Sequence, residues 1–132
     1  MSKRIAIGAI LCMAVLVPSA TGHSHHGKAH VKVTLDSFTK NPFPGTENGF
    51  FKGSVGSPKA SCKKDRMLRV FAQKNGNDKA VGQGKAFEET PGKPTPFDIT
   101  GHTEKSGKYY VKAAATPQCK VAQSRSININ VN

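Results

Sequence analysis

Three groups of residues in this chain have the types and spacing to do chemistry: a histidine-rich stretch, two cysteines, and a set of cations beside those cysteines. The stretch reads His23-Ser24-His25-His26. If the chain is cut ahead of His23, His25 becomes the third residue of the product. A free amine with His in third place can wrap Cu(II) or Ni(II) through the amine, two backbone amides and the imidazole, a set suited to square-planar metals. A cut ahead of Thr21 puts His23 in third place, so the pattern survives either choice, and His26 and His30 add imidazoles nearby. A short His-rich tract is compositional evidence only, and its plain reading is a polar tail. His102 is the candidate partner for a copper brace built on an N-terminal His, although Gly101 ahead of it reads as a turn.

The cations gather unevenly. Lys59, Lys63, Lys64 and Arg66 flank Cys62, and Lys120 follows Cys119. A bond between the two cysteines would bring all five to one end of the domain. There they could hold an anionic polysaccharide, a cell-surface polymer or another polyanion by counterion release. The alternative is a solvated charged loop that keeps the protein soluble. Catalysis finds little support. Glu88 and Glu89 are adjacent and on a strand would face opposite sides, so they make no acid and base pair. Gly82-Gln83-Gly84 opens no helix that could cradle a phosphate, and no Gly-x-Ser-x-Gly elbow occurs. The expected protein is therefore not an enzyme, and it needs no cofactor unless the histidines take up copper or nickel.

All three groups depend on where the chain goes. Lys3 and Arg4 precede an apolar run over residues 5–17, followed by Pro18 and small residues, which is the pattern of a cleaved signal peptide over residues 1–22. The run is too short to span a bilayer, which takes about 20 residues. A secreted chain, extracellular or periplasmic, is the expectation. Removal of the leader also removes Cys12 and leaves Cys62 and Cys119, an even count that reads as a disulfide in an oxidising compartment. The chain-entropy model gives such a long loop on the order of 4 kcal/mol, an upper figure. Of the 132 residues, 20 are Lys or Arg and 8 are Asp or Glu, a net +12 to which Lys3 and Arg4 contribute only two. The basic character belongs to the mature protein. With 36% apolar residues and no Trp, one modest core is possible, and a lectin-like stacking platform is weakened.

The elements that must position these groups follow from a period of two. Val31, Val33 and Leu35 alternate with polar residues, as do Phe51, Gly53 and Val55, then Leu68, Val70 and Ala72, then Tyr109, Val111 and Ala113, then Ile127, Ile129 and Val131. Asn75-Gly76-Asn77-Asp78 tolerates positive φ and predicts a hairpin into a weak fourth strand over residues 79–87. Residues 90–96 carry three prolines and must be loop or edge, and Phe97 to Thr100 makes a short fifth strand. Phe50, Phe71 and Tyr110 point away from the inward faces, as an exposed stripe or under a rim. No apolar helical pattern lasts three turns. The reading is an all-β, antiparallel sandwich of about seven strands, immunoglobulin-like or prealbumin-like, over residues 30–132, after a flexible His-rich tail at residues 23–29.

Gly53-Ser54-Val55, Arg69-Val70-Phe71, Gly107-Lys108-Tyr109-Tyr110-Val111 and Ile127-Asn128-Ile129 together resemble the secreted carboxypeptidase-regulatory-like domains, over about residues 50–131. A bacterial secreted subset is more similar still, pairing a Ser-x-x-x-x-Cys turn (here Ser57 to Cys62) with a Gly-Lys-Tyr-Tyr-x-x-Ala strand (Gly107 to Ala113) and a later Cys, here Cys119. The Thr-Asp-x-x-Gly-x-Phe turn usual in the wider family is missing, and Gly82-Gln83-Gly84-Lys85 stands near its place. The resemblance implies a prealbumin-like sandwich and a non-catalytic accessory or adhesive module, and it carries over no functional residue.

Overall fold

The computed structural model describes residues 27–43, 48–87, 91–103 and 105–131, and its regular structure is eight antiparallel strands with one 3₁₀ turn. The strands are β1 (Lys32–Lys40), β2 (Asn48–Gly56), β3 (Met67–Ala72), β4 (Lys79–Lys85), β5 (Thr95–His102), β6 (Gly107–Ala113), β7 (Ala122–Gln123) and β8 (Ile127–Ile129). They form one sheet in the order β1-β2-β5-β4-β3-β6, with β7 and β8 sharing the far edge of β6. The sheet curls until β1 packs against β6, β7 and β8, so it is nearly closed. None of the described helices is long and apolar enough to cross a membrane.

Alternation puts the core inside this curl. Val33 and Leu35 of β1, Phe51 and Val55 of β2, Leu68 and Val70 of β3, Phe97 and Ile99 of β5, and Tyr109 and Val111 of β6 are all buried. In β1 the pairing jumps from Leu35↔Gly53 to Ser37↔Lys52, leaving Asp36 without a partner. This bulge shifts the alternation by one, so Phe38 follows Leu35 inward and its ring meets that of Phe51 at 4.8 Å. Phe51 in turn lies on Gly101, where an added Cβ would sit 2.5 Å from the ring. Gly101 is thus a strand residue, paired with Gly49 and Gly82, and the turn expected ahead of His102 is not there. A bare glycine under an aromatic ring explains a strand that the residue type argues against.

The fifth strand is longer than its residues suggest. It takes in Thr95 and Pro96, and the reason is directional. Pro96 accepts a hydrogen bond from the Phe87 N–H through its carbonyl at 2.9 Å, and in an antiparallel strand N and C=O of one residue point the same way. Its missing N–H therefore faces the β4 side beyond Lys85, where β4 has ended and no ladder needs it. β7 is an eighth strand that the sequence does not announce, two residues long. Phe71 and Tyr110 are a cross-strand pair with rings stacked at 5.4 Å, and Tyr110 is buried, so the two do not form an open stripe.

Candidate functional site

Cys62 and Cys119 are bonded, 57 positions apart, at the end of the sheet where β3 begins and β6 finishes. Two short turns present them. The first is the 3₁₀ turn Ala60–Cys62, entered through a Ser57 hydroxyl that accepts from the Lys59 N–H at 3.2 Å and donates to the His30 carbonyl at 2.7 Å. It leaves through Asp65, held at φ 57. The second closes on itself through Thr116, whose hydroxyl accepts from the Cys119 N–H at 3.0 Å. Ala29 joins it: its N–H donates to the Gln118 carbonyl and its carbonyl accepts from the Lys120 N–H, at 2.8 and 3.0 Å. The segment ahead of β1 is thereby tied to the disulfide.

The five cations do not share one role. Lys59, Lys64 and Lys120 are exposed around the disulfide. Lys63 is buried and its Nζ donates to the Lys93 carbonyl at 3.1 Å, fastening the turn before β5. Arg66 is buried as well, with 4% of its surface accessible. Its Nη2 donates to the carbonyls of Ala114 and Lys120, while Nη1 meets no acceptor among the described residues. Burial lowers the guanidinium pKa from its ordinary value, but an Arg stays charged in any protein setting. Lys63 and Arg66 are therefore fasteners of the disulfide turns and do not present their charge to solvent.

Three further cations stand at the same end. Lys28 precedes the Ala29 bridge, Lys32 opens β1 opposite Gly56, and Lys93 sits in the turn that Lys63 fastens, all exposed. Lys120 Nζ lies 3.4 Å from His30 Nε2. Between the 57–60 turn and the 91–94 turn is a hollow of about 410 Å³, with Ser57, Pro58, Pro91 and Pro94 in its walls and Lys63 at its base. Asp65 is the described carboxylate of the disulfide turns. No local signal in the sequence joins Lys28, Lys32 and Lys93 to the cysteines, because it takes β-pairing and the Ala29 bridge to do so.

The candidate metal residues His23, His25 and His26 lie outside the described residues, as do the expected leader over residues 1–22 and the pair Glu88 and Glu89. His30 is exposed at the disulfide end, and His102 is at the other end of the sheet, opposite Asn48. Among the described residues no three His, Cys, Asp or Glu side chains come together to hold a metal. Comparison with protein families finds no family model that matches the chain, and comparison with curated proteins finds no relative.

Proposed function

We propose that the protein is a secreted, non-catalytic binding module, with the sandwich form of the domains it resembles, that holds anionic polymers across its disulfide end. The observation that carries this reading is the convergence there of Lys28, Lys32, Lys59, Lys64, Lys93 and Lys120, exposed and drawn from separate parts of the chain. A row of exposed ammonium groups around a shallow hollow suits an extended chain of charges, because each neutralised anionic group releases condensed counterions and no single deep contact is needed. Lysine supplies point charges, so binding ranks by charge density before sugar or base identity.

The test is a salt series with a short DNA duplex and with dextran sulfate as probes. The logarithm of the binding constant should fall with that of salt, with a slope of about 0.9 per phosphate contact on duplex DNA. Replacing Lys59, Lys64 and Lys120 by Gln should flatten that slope by about two to three. A charge-matched control replaces Lys40, Lys52 and Arg125, which are exposed elsewhere. Equal slopes from the two triple variants would mean that net charge alone is at work, and the site would be lost.

A further inference from the structure

The pair Asn-Gly occurs twice in the chain, at Asn48-Gly49 and at Asn75-Gly76, and it carries a reaction of its own. The backbone nitrogen that follows an asparagine can attack the side-chain amide carbon, and a glycine leaves that nitrogen uncrowded. A bond from N to Cγ forms and closes a succinimide ring. The bond from Cγ to Nδ2 breaks, and the side-chain nitrogen departs as ammonia with the proton that the backbone nitrogen gives up. Water then opens the ring at either carbonyl. One opening leaves an aspartate, and the other leaves isoaspartate, whose main chain runs through Cβ and Cγ. Water is the only co-reactant. Asparagine counts among the thermolabile residues.

The fold closes this route at one pair and leaves it open at the other. Asn48 opens β2, and its carbonyl accepts from the Asn41 N–H at 3.0 Å on the β1 side. The backbone of Gly49 therefore points the other way, to its partner Gly101 in β5, and its nitrogen is spent in that ladder. Gly49 is buried, and the ring of Phe38 occupies the place a Cβ would take. An attack there has first to open the ladder. In the β3–β4 hairpin, by contrast, Asn75 and Gly76 are exposed, Gly76 has φ 104, and a Cβ on it would meet nothing within 4 Å. Among the described residues neither the Asn75 side chain nor the Gly76 N–H has a hydrogen-bond partner. The flanking bonds bear on the product. The Lys74 N–H donates to one Asp78 oxygen at 3.0 Å, and the other accepts from the Tyr110 hydroxyl at 2.6 Å. The isoaspartyl product puts one more main-chain atom between Lys74 and Asp78, the two ends of that span.

We propose that the fold selects Asn75 over Asn48 as a site of spontaneous deamidation, and that the isoaspartyl product loosens the bonds of Asp78 that hold the hairpin. The inference does not rest on polymer binding, since the residues concerned lie away from the disulfide end. The native protein is held in mildly alkaline buffer, and tandem mass spectrometry of its proteolytic peptides follows the conversion of each asparagine. Asn75 should convert at least about tenfold faster than Asn48, the factor that an opening free energy of about 1.4 kcal/mol imposes on a paired strand. In urea with the disulfide reduced the gap should close, because the same dipeptide then has no fold around it. Equal rates in the native protein would overturn the proposal, and so would a gap that persists in urea. The isoaspartyl form is then separated by ion exchange and compared with the variant Asn75→Asp, which carries the new charge without the longer main chain. Its Lys74 amide should exchange with solvent faster than that of the variant, and its Tm should be lower. Matching exchange and Tm would mean that the extra atom leaves the hairpin intact, and the second half of the proposal would fall.

Discussion

Arg66 is a cation that the fold spends on carbonyl groups. One nitrogen of its guanidinium joins the carbonyl of Ala114, at the exit of β6, to that of Lys120, beside the disulfide. These acceptors lie 48 and 54 positions downstream, so nothing near Arg66 in the chain distinguishes it from Lys64, which stays at the surface. A charge-and-spacing reading counts both as ligands for a polyanion. A lysine at position 66 would keep the charge and lose the planar guanidinium whose Nη2 reaches both carbonyls. Arg66→Lys should therefore cost about 1–3 kcal/mol in urea unfolding, while the salt slope of polymer binding stays that of the parent. A variant of unchanged stability with a flatter slope would return Arg66 to the surface site.

Strands were legible wherever apolar and polar residues alternate, as in β2, β3 and β6, because one face of each is packed and the other is wet. Where the pattern breaks, the cause lies in a neighbouring strand. The glycines that make β4 look weak accept the side chain of Ile99 from β5: a Cβ on Gly84 would stand 3.1 Å from it. β7 is too short to show a period at all. The β3–β4 hairpin was legible from Asn75 to Asp78, but the lock that holds it was not, since it runs from Asp78 to Tyr110 across 32 positions. That lock has a pH signature. The Tyr110 hydroxyl, and after it the Lys74 N–H, hold the Asp78 carboxyl below its usual range, and Asp78 pushes the Tyr110 phenol up. A depressed carboxyl stabilises the fold above the unfolded value, about 3.9, and the gain is lost as pH falls through the lower folded value. A raised phenol stabilises it below the unfolded value, about 10, and that gain is lost as pH rises through the higher folded value. The difference in Tm between the parent and Tyr110→Phe should thus be flat from about pH 5 to 9 and shrink at both extremes. A difference that changes within the flat window would show that another group is titrating.

At the scale of the whole molecule the disulfide and the curl of the sheet do the same job from two sides. The path β1-β2-β5-β4-β3-β6 ends by returning β6, β7 and β8 to β1, yet no ladder joins β1 to them. Closure at the disulfide end comes from Ala29 bonding to the Cys119 turn and from Cys62 bonding to Cys119. The pairing of the cysteines was legible because only two remain once the expected leader is set aside. The strand order was not, since period two says which face is buried and not which strand lies beside which. Removing the cross-link frees a loop of 57 positions in the unfolded state, a loss of on the order of 4 kcal/mol at most and of roughly 10 °C or more in Tm. Its effects on the native molecule should differ between the two ends. The turns carrying Lys59, Lys64 and Lys120 would then rest on the hydrogen bonds of Ser57, Thr116, Ala29, Lys63 and Arg66, whereas the β3–β4 hairpin at the far end keeps its lock of Asp78 on Tyr110. Below its Tm, the Cys62→Ser/Cys119→Ser variant should bind the DNA duplex with a flatter salt slope and keep the parent's amide-exchange protection in the β3–β4 hairpin. Loss of that protection as well would mean that the sheet loosens as one body when the bond is cut.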